Sequence, residues 1–129
     1  MIVRIWRGWT TPGNADAYES IVSTQVLPAI AERKLPGYHG AYLLRRPLAG
    51  SEGEGEGEVE GEVEFSTIMY FDSLDAVRQF VGEDYEVAHV PAEARAVLAR
   101  FDERSAHYET LLTPQDTRPV RGGGSPEPR

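Results

Sequence analysis

At Asp72 and Ser73 the hydrophobic period of this chain changes within two residues. The nine residues before that point, Val63 to Phe71 (VEFSTIMYF), are rich in β-branched and aromatic side chains. After it, Leu74, Val77, Phe80 and Val81 recur at helical spacing, in a stretch that runs on to His89. A period of about 2 giving way to one of about 3.6 marks a strand feeding a helix. This pair is the centre around which the remaining elements must pack.

Those elements follow from turn and cap residues. Ile2 to Thr10 reads as a strand with Val3, Ile5, Arg7 and Trp9 on one face and Ile2, Arg4, Trp6 and Gly8 on the other. Both faces carry large apolar groups, so both are expected to be covered. Thr11 and Pro12 suit the N-cap and first position of a helix. From Ala15 to Lys34 an apolar stripe of Tyr18, Ile21, Val22, Leu27, Ile30 and Ala31 predicts that helix. Pro28 lies inside it, removes a backbone donor and crowds the Thr24 carbonyl, which predicts a kink. After Pro36-Gly37, Tyr38 to Arg46 forms a second strand. Residues 48–62 are low-complexity and predict a long solvated hairpin loop rather than a calcium loop, since the Asp/Asn pattern of the latter is missing. Asp84 to Val90 is expected to make a helical turn. A final helix starts at Pro91 with Ala94, Val97, Leu98 and Phe101 inward, and Ser105 to Leu112 is the last strand. The domain so predicted spans residues 1–112, and residues 113–129, rich in proline and glycine, read as a disordered tail.

The order β-α-β-β-α-α-β predicts an α+β fold: a ferredoxin-like four-stranded antiparallel sheet with helices on one face. Ile2, Trp6, Ile68 and Tyr70 are expected on the other face. A bare apolar sheet face on a small domain is an association surface, which predicts a homodimer with the two sheets face to face.

Composition narrows the functional classes. The net charge of −8 is local: seven of the 21 acidic residues fall between 52 and 64, leaving 14 acidic against 13 basic residues elsewhere. No basic, aromatic-studded stripe for nucleic acid is seen. There is no cysteine for a disulfide, thiolate metal site or nucleophile. Without a signal-like N-terminus or a run long enough to span a bilayer, cytoplasmic residence away from membranes is expected. No histidine pair has the i,i+4 spacing of a metal site, and serine hydrolase and phosphate-loop patterns are absent.

The opening IVRIWRG strand, the helix ending in VLPAI, PGYHGAYLLRR, FSTIMYFDSLDAVRQF and the closing HYE together resemble the antibiotic biosynthesis monooxygenase family of dimeric α+β barrels. The likeness covers roughly residues 1–112. It implies a homodimer that oxidises a planar phenolic or polycyclic small molecule with dioxygen and no cofactor. A haem-degrading branch of the family surrounds a porphyrin with an asparagine, a tryptophan and a histidine. Arg7, Phe71 and His89 stand at those positions here, so only the histidine matches. Haem binding through His89 is the alternative, and a non-catalytic dimeric module for a small apolar or aromatic molecule is the third reading.

The candidate catalytic residues are His89 and Arg7. An imidazole takes a phenolic proton near neutral pH or, when neutral, ligates iron; a plain helix-end histidine is the competing reading. Arg7, charged within an apolar strand, must be paired or lie in a polar cavity if it faces the helices. It would then stabilise negative charge on a substrate or serve as half of a structural ion pair. Trp9, Tyr18, Phe71 and Tyr85 are the candidate substrate-binding residues, each weighed against an ordinary core or half-buried role.

Overall fold

The computed structural model, which describes residues 1–49 and 61–119, is α+β. Among those residues one antiparallel sheet holds β1 (Ile2–Thr10), β2 (Tyr38–Pro47), β3 (Val63–Phe71), β4 (Arg100–Phe101) and β5 (Ala106–Glu109). The order across it is β2-β3-β1-β4, with β5 also paired to β1. The helices are α1 (Ala15–Ile21), α2 (Leu27–Glu32), α3 (Leu74–Val81), α4 (Ala92–Val97) and the single turn α5 (Pro114–Thr117). No helix among the described residues is long and apolar enough to cross a membrane.

β3 alternates without interruption: Val63, Phe65, Thr67, Met69 and Phe71 are buried and the residues between them are not. Where it ends, the Ser73 hydroxyl accepts from the Ala76 N–H at 3.2 Å and starts α3. Gly82, at φ 97°, stops that helix. The core lies on the helix side of the sheet in two clusters. One joins Tyr18 and Val22 to Phe65 and Ala94, and the other joins Phe71 and Met69 to Val77 and Ala76.

The register corrects the facing expected for β1. Ile2 lies opposite Phe71, Arg4 opposite Met69 and Trp6 opposite Thr67, so Ile2, Arg4 and Trp6 face the helices. Val3, Ile5 and Arg7, opposite Tyr70, Ile68 and Ser66, face away. Ile68 and Tyr70 do sit on the bare face, but Ile2 and Trp6 do not. Directly opposed residues in an antiparallel pair share a face, and a slip of one residue inverts the whole strand. Tyr42, Leu44 and Tyr108 complete the bare apolar face, at 59%, 50% and 55% exposure.

The kink expected at Pro28 is absorbed one turn earlier. Val22–Val26 form a π-helical turn between α1 and α2, in which the Leu27 N–H reaches the Val22 carbonyl. Proline has no N–H to offer the Thr24 carbonyl, and widening the preceding turn relieves the crowding. The last helix is also shorter than its pattern. α4 stops at Val97 because the chain that follows hydrogen-bonds the free edge of β1: Ala99 N–H to Trp9 O at 2.7 Å and Asp102 N–H to Arg7 O at 2.9 Å. Leu98 packs over Gly8, where a side chain would collide with it, and Phe101 becomes part of β4 against Trp6. The edge of β1 is thus lined by two short strands, β4 from the end of the expected helix and β5 from within the expected last strand. Asp84 to Val90 form no helix; Val87 bridges to Arg104 instead. Most of the glutamate-rich loop, residues 50–60, lies outside the described residues, as do residues 120–129 of the tail. Thr113 and Asp116 form a capping box that starts α5.

Candidate functional site

The π turn and α2 stand off the sheet and leave a cavity of about 90 Å3 beneath them. Its floor is the helix-facing side of β1 and β3, and its far wall is the segment Ala88–Pro91 with Ala94. The lining is mostly aliphatic, from Val22, Leu27, Ile30 and Met69, with Tyr18 among them. Outside it lies an open groove of about 520 Å3 that shares Val26, Ile30, Phe80, Val81, His89 and Pro91 with the cavity. Cavity and groove are therefore two depths of one recess, and His89, itself exposed, stands where they join.

The inner end carries charge. Arg4 is 6% exposed and lines the cavity. Its Nη1 donates to the Tyr85 carbonyl at 2.5 Å and to His107 Nε2 at 3.0 Å, and its guanidinium lies 5.7 Å from the centre of the Phe80 ring. No carboxylate among the described residues pairs with it. Burial pulls its pKa down to about 10, so it stays charged at neutral pH. A buried cation with only neutral partners is costly to a fold. Ser105, 3% exposed and also lining the cavity, has a hydroxyl with no hydrogen-bond partner among the described residues.

His107 is fixed in one form by this arrangement. A guanidinium only donates, so Nε2 must accept and the proton resides on Nδ1. Tyr85 stacks edge-on against the ring at 5.1 Å. Burial, and then the Arg4 charge, hold the imidazole pKa below its ordinary value, with Glu86 opposing weakly. Below about 6.5 the unfolded chain therefore binds a proton that the folded chain resists. The stability contribution of neutral His107 is complete above that pH and is lost as the pH falls toward the lower folded value. Urea midpoints at pH 7.5 and 5.0 should fall further in the wild type than in His107→Gln; equal losses would show that the imidazole is not held neutral.

Of the six residues expected at a site, Tyr18 and His89 line the same recess. Tyr18 is buried edge-on against Phe65 at 4.7 Å, and burial raises its phenol pKa, making it a neutral donor rather than a base. Tyr85 touches the site only through its carbonyl and its stack on His107. Arg7 and Trp9 lie on the opposite side of the sheet. There Arg7 pairs with Asp102 at 3.1 Å, and the Arg7 and Arg100 guanidinia lie 5.3 and 4.0 Å from the Trp9 ring centre. Phe71 is sealed in the core. The polar groups at the inner end, Arg4, Ser105 and His107, were not anticipated. The requirement stated for Arg7, a partner or a polar cavity, applies to Arg4 instead. Gly8 was the available clue to the facing, since a glycine in a strand marks close approach of another element, here Leu98. No group of three or more His, Asp or Glu among the described residues is arranged to hold a metal ion. No protein-family model matches the chain, and no curated protein matches it.

Proposed function

We propose that this chain is an oxygenase of the antibiotic biosynthesis monooxygenase type. In this reading it works as a homodimer of ferredoxin-like domains and oxidises a planar phenolic molecule with dioxygen, without a cofactor. The reading begins from the resemblance. It is supported by the strand order, with β1 and β3 central and β2 and the β4–β5 edge outside, and by the bare apolar sheet face suited to a second copy. The observation that carries it is the recess itself: mostly apolar walls, His89 at the mouth, Arg33 and Glu93 along the open groove, and the buried cation Arg4, without a carboxylate partner among the described residues, at the inner end.

The chemistry assigned to these groups is limited. His89 takes a proton from the substrate, leaving an electron-rich anion that reacts with dioxygen directly. One oxygen atom enters the substrate, and the other leaves as water with two hydrogens lost from it. Arg4 takes the role expected of Arg7, a positive charge that stabilises the reacting anion, and the aliphatic lining keeps water away, which strengthens that attraction. Tyr18 contributes shape and a neutral hydroxyl.

Oxygen uptake with naphthols and anthrones in the presence of a chelator tests this. His89→Ala should lower turnover by about 100-fold or more, the range of a lost general base. Uptake absent with every phenol, or unchanged in the variant, would remove the oxygenase or His89 respectively. A Soret band on haemin titration that disappears in His89→Ala would favour haem binding in its place.

A further inference from the structure

The inner cavity has chemistry that a neutral phenol does not use. Both Nη1 protons of Arg4 are committed, one to the Tyr85 carbonyl and one to His107 Nε2. That leaves the Nε–Nη2 edge of the guanidinium without a partner among the described residues, in a side chain that lines the cavity. This edge presents two parallel N–H groups, the geometry that matches the two oxygens of a carboxylate. The Ser105 hydroxyl is buried on the same cavity wall with no acceptor for its proton. Three donors and no anion thus border a space of about 90 Å3, roughly three water volumes. That space is smaller than the ~150 Å3 apolar cavity that holds a benzene ring, and it suits a carboxylate with a short stem. The ring has room in the adjoining groove of about 520 Å3.

We infer that the closed end of the recess is a carboxylate subsite, with Arg4 and Ser105 binding the acid head of a ligand whose aromatic or aliphatic body lies in the groove beside His89. His107 is a positioning residue: it holds Nη1 and so presents the other edge of Arg4 to the cavity. The inference rests on the recess being the binding site, but not on the ligand being oxygenated. It narrows the ligand class to aromatic or aliphatic carboxylic acids that enter head first. The anion supplies the countercharge that the fold withholds from Arg4.

The test compares 3-phenylpropionate with 3-phenylpropionamide, which has the same shape without the charge, by titration calorimetry at neutral pH under nitrogen. The acid should bind about tenfold tighter or more than the amide. Ser105→Ala should narrow that ratio severalfold, and Arg4→Gln should abolish it. Arg7→Gln, a cation removed on the other sheet face, should leave it unchanged. Ser105→Ala removes one small hydroxyl and serves as the decisive variant if Arg4→Gln does not fold. Equal binding of acid and amide, no binding of either, or loss of the ratio in Arg7→Gln would overturn the inference. Acid preference with no oxygen uptake from any phenol would sink the oxygenase reading alone, whereas oxygenation without acid preference would sink the carboxylate subsite alone.

Discussion

Phe71→Ala is expected to lower the free energy of unfolding by about 3–5 kcal/mol, the range for truncating a fully buried aromatic side chain. Phe71 has no exposed surface and ends β3, with Ile2 opposite it on β1 and Tyr38 opposite it on β2. Its ring lies 5.4 Å from that of Tyr38 and 5.7 Å from that of Phe80. Those neighbours belong to different elements, so the space left by the ring cannot be closed by shifting one of them. The urea midpoint should fall while the dependence on denaturant stays constant, since the surface exposed on unfolding hardly changes. The resemblance set Phe71 at the tryptophan position of the haem-degrading branch. In this fold the ring contacts the core, and any effect on binding passes through Phe80, which does line the cavity. A loss below about 1 kcal/mol would show that the ring is not packed as described.

How much of this could be read from the sequence depended on whether a local signal had a competitor. The β3-to-α3 junction was legible because alternation, the Ser73 cap and the helical spacing all agreed. The first strand was legible as a strand but not in its facing. Ile2, Trp6, Val3 and Ile5 make both of its sides apolar, and one arginine sits on each side, Arg4 and Arg7. Patterning could not choose between them; the choice is made by pairing with β3, a contact distant in sequence. The candidate site inherited that ambiguity, so the buried cation was sought at Arg7 and lies at Arg4. The end of α4 shows a second kind of limit. Leu98 and Phe101 continue a helical spacing, yet the open N–H and C=O groups on the edge of β1 offer that backbone sheet partners, and tertiary hydrogen bonds override the local period. Ser105 gave no signal of its own, because an unpartnered hydroxyl can be recognised only once its surroundings are known.

Ile68→Glu is expected to abolish the proposed sheet-to-sheet dimer, raising its dissociation constant by about 100-fold or more while leaving the protomer folded. Ile68 sits on β3 between Ile5 and Tyr42, its direct partners on the two flanking strands, in the middle of the bare face. Tyr42 and Tyr70 pack edge-on beside it at 5.8 Å, and Tyr42, Leu44 and Tyr108 leave half or more of their surface exposed. A twofold interface uses the same patch on both copies, so one substitution introduces two carboxylates. Each would lose its water without gaining a partner, at a cost of several kcal/mol per charge, and each 1.4 kcal/mol is about a factor of ten in affinity. The protomer should tolerate the change, since the side chain points away from the helices and the core. Sedimentation of wild type and variant across a dilution series, with circular dichroism to verify the fold, checks both halves of the expectation. A wild type that sediments as a protomer throughout would remove the dimer, while a variant that still dimerises would place the interface on another surface.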